Sequence, residues 1–402
     1  TGISVTAARS LAVFCTWLSV LLAYAVVRQY RSKKFACCTA FLIAANALGV
    51  FFGRLAILEP SFVLFLLRAM YLAGRTRPGN YVLAAVVGVV FVVATLTKTT
   101  GPFVLPAVLY PIWATNRTTD RGGTWKLLGT VLGTVLVLLG TAKLIWFLHY
   151  TSDAAVIFAL RPLWQIEHFP VRLLRFFFRG TWVDPVLFPL ALAALIAAAW
   201  KLRFFWRDTL FVTALLWEAG YAAFIAFHYD GPPRYFVTLI VPTIWLALIF
   251  VEWLWQEKRR IAMAVSVCVA VSVLWNLAMI GEYVAHPRYS LVDASMKIKR
   301  IIETQHEADP EESDLLIGRG AGEISLLSGG IAAMDSDGAM PLAQKLDVYH
   351  PSWFLDWTSQ PQARRETVAA HRRIVGRAAF PDLDRSREAG IVLYQIFPRG
   401  SQ

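Results

Sequence analysis

In the stretch FGRLAILEPSFVLFLL, Arg54 and Glu59 stand five residues apart between two apolar runs, and Pro60 follows at once. A carboxylate in that position can take a proton from an acceptor hydroxyl as it attacks an anomeric carbon. A guanidinium beside it can hold a leaving phosphate in a fork of hydrogen bonds. The structural alternative is that Glu59 caps the next helix, with Pro60 in its first turn. Two further stretches place cations at the ends of apolar runs. TLTKTTGPFVLP sets Lys98 among threonines ahead of Gly101, and PPRYFVTLIVP opens with Arg234 and Tyr235. Such cations either offset a phosphate's charge beside a low-dielectric region or snorkel to an interface. His228, Tyr229 and Asp230, in FHYDGPP, form the densest polar cluster at the outer ends of the apolar runs. That cluster reads as a turn, with Asp230 as a second acid or metal ligand in the alternative.

The elements that would position these residues are membrane spans. The 402 residues are 57% apolar and 16% charged, with mean hydropathy +0.53, well outside the roughly 45–50% and about 25% of soluble domains. This excludes a soluble protein. The net charge of +12 reflects basic cytoplasmic loops and not nucleic-acid binding. With about 20 apolar residues needed to cross the bilayer core, charged borders delimit ten runs. They are Ala7–Val27, Ala36–Phe52, Ser61–Ala73, Tyr81–Thr97, Pro102–Ala114, Leu127–Phe147, Val186–Trp200, Leu210–Phe227, Tyr235–Trp253 and Ile261–Ile280. The loops after odd-numbered spans, RQYRSKK, RTRPGN, NRTTDRGGTWK, KLRFFWRD and QEKRR, are all basic. Short loops after even-numbered spans carry one cation each, Arg54, Lys98 and Arg234. By the positive-inside rule the first set is cytoplasmic, and residues from about 282 onward lie outside. Of the ionisable residues inside the spans, Arg68, Lys143 and Glu218 are taken as functional candidates. Lys143 lies near an outer end and joins the candidate phosphate site, while Arg68 and Glu218 either reach an end or pair with each other.

The N-x-T triplet at Asn116 falls in a cytoplasmic loop, where it cannot be glycosylated. The four cysteines sit in apolar runs without metal-ligand spacing and read as packing residues. Two outer segments are long enough to fold. In Tyr150–Val183, FPVRLLRFFFRGTW interleaves bulky apolar residues with Arg172, Arg175 and Arg179, as in an interfacial helix or an ordinary connector. From Tyr283 the chain becomes polar. SLVDASMKIKRIIETQ and PQARRETVAAHRRIVG read as helices, DLLIGRG and GIVLYQIF as buried strands, and GRGAGE as a strand-ending turn.

AILEPSFVLFLL followed by TLTKTTGPFVLPAVLYPIW resembles the C-type (GT-C) integral-membrane glycosyltransferases, in the group of protein O-mannosyltransferases and the lipid A aminoarabinose transferase. In that group an acidic residue precedes Pro or a small residue at an outer loop, and a T-K-G-like turn opens a later helix. Glu59 matches the first with Glu for the usual Asp. Lys98 matches the second with Thr99 where Gly is commoner, and Arg234 with Tyr235 matches a cation-and-aromatic pair opening a late span. The family also carries an acidic residue in an outer loop after an initial span, so the resemblance implies that such a segment precedes Thr1.

The expected fold is an all-α polytopic bundle of about ten transmembrane helices, residues 1–282, with a small extracytoplasmic α/β domain, 283–402. The resemblance implies a multi-pass inner (plasma) membrane transferase. It would move a hexose or pentose from a polyprenyl-phosphate carrier to a lipid, glycan or protein acceptor on the extracytoplasmic face. Glu59 and Arg54 would be catalytic, and Lys98, Arg234, Tyr235, His228, Tyr229, Asp230 and Lys143 would bind substrate. Membrane lipids are partners and nucleic acid is not. No cofactor is demanded, and a divalent metal ion stays open because no ligand set stands out. The alternatives are a lipid-linked sugar transporter or flippase, against which no internal repeat is found, and a non-catalytic member that binds the lipid-linked sugar.

Overall fold

The computed structural model describes residues 5–55, 57–149, 169–227, 233–286, 290–309, 313–336, 340–358, 362–384 and 389–398. Two compact units emerge, Ala7–Ala285 and His286–Gln402.

All ten apolar runs are helical in the first unit. They form α1 (Val5–Val27), α2 (Lys33–Ala44) with α3 (Ala47–Gly53), α4 (Glu59–Arg75), α5 (Tyr81–Thr97) and α6 (Leu105–Asn116). They continue as α7 (Arg121–His149), then, after the amphipathic α8 (Phe169–Arg179), α9 (Leu187–Trp200), α10 (Thr209–Phe227), α11 (Ile240–Glu257) and α12 (Arg259–Ala285). Five of these stretches are long and apolar enough to cross a membrane, and the α2–α3 pair, bent by 58°, passes the same test only when its two helices are taken together. The break follows from Asn46, which caps α3: its side chain accepts the Gly49 N–H at 2.9 Å and donates to the Val183 carbonyl at 2.7 Å. The helices α4, α5, α6 and α9 run only 12 to 17 residues. α12 turns Val267, Val271, Leu274 and Trp275 outward. Lipid is as good a solvent as protein for such side chains, so close van der Waals packing must hold the helices together. Gly220 of α10 shows the consequence, because a Cβ there would collide with the Phe103 carbonyl oxygen. The protein is a multi-pass membrane protein.

Contacts between loops test the alternation of sides read from the sequence. At one end Arg31, after the first span, pairs with Asp208, after the seventh, and at 3.4 Å with Glu252 near the end of the ninth. The Asn116 amide donates to the Thr76 carbonyl at 2.9 Å, joining the loops after the third and fifth spans. At the other end Glu59 meets Lys98, and Arg54 meets Tyr283. These pairings join loops of like parity, in keeping with the alternation read from the sequence. The Asn116 side chain is buried in that contact.

The second unit carries a five-stranded sheet in the order β2-β1-β3-β5-β4. Its strands are β1 (Leu316–Gly318), β2 (Ala333–Asp335), β3 (Trp353–Trp357), β4 (Arg372–Asp384) and β5 (Ala389–Pro398). The first three are parallel, and β5 runs antiparallel to both β3 and β4. Helices α13 (Ser290–Ala308), α14 (Ala321–Ser328), α15 (Leu342–Tyr349) and α16 (Ala363–His371) complete it. The GRGAGE stretch ends β1 and turns through Gly320, at φ 78°, into α14. Three features differ from expectation. The helix expected through Gly376 stops at His371, and Arg372–Gly376 opens β4, where Ile374 and Val375 face Ile396 and Gln395 of β5. Ile374 packs on the core of Leu346, Val368 and Ile396, so long-range pairing and burial override a locally helical pattern. The short strands β2 and β3 also went unread, as did α14 and α15, because three to eight residues hold too little periodicity to register.

Candidate functional site

The side chains named first in the sequence meet at one end of the membrane unit. Leu58 occupies the cap position of α4 without a side-chain hydrogen bond, and Glu59 begins the helix with Pro60 behind it. Glu59 is thus free of capping duty. Lys98 terminates α5, its N–H bonded to the Ala94 carbonyl at 2.9 Å, and the Gly101 N–H then bonds back to the Lys98 carbonyl at 3.1 Å. The turn needs glycine there, since a Cβ at Gly101 would lie 2.9 Å from the Thr95 Cα. A 3₁₀ turn, Gly101–Val104, leads from it into α6.

This geometry brings Lys98 Nζ to 2.7 Å from Glu59 Oε1, with the two side chains only 11% and 5% exposed. The same ammonium lies 4.4 Å from the centre of the Tyr235 ring, and the exposed Arg234 guanidinium lies 5.7 Å from that ring. Tyr235 is held in a 3₁₀ segment, Pro233–Leu239, by the Thr238 hydroxyl donating to its carbonyl at 2.9 Å. Burial pushes the pKa of Lys98 down, Glu59 opposes that shift, and Arg234 adds to it. Glu59, Lys98, Arg234 and Tyr235 line a cavity of about 560 Å³, walled on its apolar side by Ile57, Leu58, Leu96 and Phe224. One acid and two bases leave the cavity one positive charge above neutrality. It therefore suits a singly charged phosphodiester whose apolar tail leaves along the leucine and phenylalanine wall.

The remaining candidates are distributed differently. Arg54 ends α3 and lays its guanidinium 4.3 Å from the centre of the Tyr283 ring of α12, outside the lining of the cavity. Lys143 is exposed on α7 and does not line it either. His228, Tyr229 and Asp230 lie outside the described residues. Arg68 and Glu218 do not meet. Glu218 is buried and accepts from the Thr243 hydroxyl at 3.3 Å, whereas Arg68 is exposed beside Tyr71. Among the described residues no three His, Cys, Asp or Glu side chains gather as metal ligands.

Sequence reasoning passed over one buried acid. Asp184, 2% exposed, accepts the N–H groups of Val186 and Leu187 at 2.8 Å each, the Ser272 hydroxyl at 2.7 and 2.8 Å, and the Asn276 amide at 2.8 Å. Asn276 also accepts the Ala47 N–H at 2.8 Å, so the network ties the start of α9 to α12 and the α2–α3 break. The only local signal was Asp-Pro ahead of an apolar run, a helix-start pattern.

No family model and no curated protein sequence matches the chain. Solved structures do. Crystal structures of ArnT from Cupriavidus metallidurans, one bound to undecaprenyl phosphate and one in the apo state, superpose with TM-scores of 0.55 and 0.54. They are 15% and 14% identical, and each match covers 96% of this chain and 83% of that one. The Archaeoglobus fulgidus oligosaccharyltransferase in complex with Zn and sulfate superposes with a TM-score of 0.52 at 10% identity over 87% of this chain. The match spans 56% of the archaeal chain's length.

Proposed function

Given a chain with the C-type (GT-C) integral-membrane glycosyltransferase fold, we propose that it transfers a sugar from a polyprenyl-phosphate carrier to an acceptor hydroxyl on the extracytoplasmic side of the plasma membrane. The observation that carries this reading is the convergence of Glu59, Lys98, Arg234 and Tyr235 from three separate loops on one cavity. The ArnT structure bound to undecaprenyl phosphate supports the choice of donor. The acceptor oxygen attacks the anomeric carbon as the bond from that carbon to the phosphate oxygen breaks. The electron pair leaves on the carrier phosphate, the hydroxyl proton passes to Glu59, and the anomeric configuration inverts.

The ion pair defines the order of events. While Lys98 donates to Glu59, the carboxylate is a weak base; when a phosphate enters, the ammonium turns to it and Glu59 is released to accept a proton. Arg234 supplies the second phosphate contact, and Tyr235 holds Lys98 over its ring face. The sugar is a hexose or pentose, the acceptor a lipid, glycan or protein, and the soluble unit lies on the extracytoplasmic side.

The test is transfer from radiolabelled polyprenyl-phosphate sugar to membrane acceptors, comparing the protein with Glu59→Gln. Loss of transfer with carrier binding retained places Glu59 in the chemical step. Unchanged transfer removes it from that step, and carrier binding without transfer in the unsubstituted protein favours a transporter or a non-catalytic binder.

A further inference from the structure

A second cavity lies on the flank of the membrane unit, away from the transfer site. Leu18, Leu21, Leu22 and Ala25 of α1 and Leu64 and Phe65 of α4 line a groove of about 500 Å³ that ends at Arg68 and Tyr71. One turn further, Arg75 lies 4.4 Å from the centre of the same Tyr71 ring that Arg68 approaches at 5.8 Å. Arg68, Tyr71 and Arg75 follow the i, i+3, i+7 spacing of one helix face, and both arginines are exposed. Among the described residues neither guanidinium makes an ion pair. Glu218, a buried acid of the same bundle, is engaged with Thr243. A cation at membrane depth is costly unless it finds an anion or reaches the interface.

We propose that this groove binds an anionic glycerophospholipid of the cytoplasmic leaflet. Its phosphate sits between Arg68 and Arg75, and an acyl chain lies along the leucine wall. The occupant follows from charge and length. Two forks of N–H donors match a phosphate better than any neutral headgroup. From Leu18 to Ala25 the wall runs roughly 10 Å at 1.5 Å per residue, which fits within the ~15 Å depth of a single leaflet's hydrocarbon. The groove ends toward the RTRPGN loop, on the face whose basic loops mark the anionic leaflet. The site shares no lining residue with the cavity around Glu59.

The protein in detergent is exposed to equal amounts of dioleoylphosphatidylglycerol and dioleoylphosphatidylcholine, and bound lipid is read by native mass spectrometry. Phosphatidylglycerol is expected to be retained over phosphatidylcholine. Arg68→Leu and Arg75→Leu each reduce that preference about fivefold, while Arg68→Lys and Arg75→Lys keep most of it. Should the leucine variants not fold, photoactivatable phosphatidylglycerol on the unsubstituted protein gives the answer, with adducts expected on residues 18–25 and 64–75. Equal retention of the two lipids, adducts confined elsewhere, or preferential capture of added undecaprenyl phosphate would overturn the proposal. Glu59→Gln leaves the lipid preference unchanged, which separates this site from the proposed transfer site.

Discussion

Asp184 and Glu59 are buried almost equally, at 2% and 4% exposure, yet their surroundings are opposites. Asp184 is surrounded by neutral donors: two backbone N–H groups, a serine hydroxyl and a carboxamide, drawn from α9 and α12. Every strong acceptor direction is used, so the side chain joins helices and has nothing left for a ligand. Among the described residues Glu59 has one side-chain partner, Lys98, and a cavity in front of it. Burial alone therefore says little about function. The saturation of a buried carboxylate, and whether open volume adjoins it, separates a tie between helices from a candidate base.

The largest expected effect sharpens this contrast. Glu59→Gln lowers transfer by roughly 10²- to 10⁴-fold, the usual yield of a general base, with the thermal midpoint nearly unchanged. An equal loss from Asp184→Asn in fully folded protein would break the distinction. Asp184→Ala should instead act on folding. It leaves Ser272, Asn276 and two backbone N–H groups without their acceptor and costs about 3 kcal/mol or more, seen as a lower thermal midpoint and a smaller monodisperse fraction. Lys98→Met is expected to weaken binding of polyprenyl phosphate about tenfold or more, the loss of one charge-assisted contact. Equilibrium binding measures it, and unchanged affinity would assign Lys98 to holding Glu59 alone. At the small end stands Arg31→Ala. The Arg31–Asp208–Glu252 cluster is partly exposed, with side chains 22%, 12% and 36% accessible, and such pairs contribute within about 1 kcal/mol. A thermal shift as large as that of Asp184→Ala would show that this end of the bundle is tied as firmly as its middle.

Much of the membrane unit was legible because its signal is compositional. Apolar runs bounded by basic loops are written residue by residue, and the like-parity contacts of Arg31 with Asp208 and Asn116 with Thr76 agree with them. The second unit was harder, since Arg372–Gly376 takes its conformation from partners in β5 and not from its neighbours along the chain. Within the site, Glu59, Lys98, Arg234 and Tyr235 stood out as charge or aromatic chemistry at span ends. Arg54 stood out equally, and the structure places it against Tyr283.

By itself, then, the sequence determined where the chain is apolar, which loops share a side, and which polar residues interrupt that pattern. Those are local properties, set by the cost of putting charge or unpaired backbone in hydrocarbon. Only the tertiary structure decided that Lys98 reaches Glu59 across 39 positions, that Asp184 is closed in by Ser272 and Asn276, and that Arg68 faces a groove in place of Glu218. Those pairings depend on which faces of neighbouring helices meet, and close packing of small residues such as Gly220 sets that relation in three dimensions.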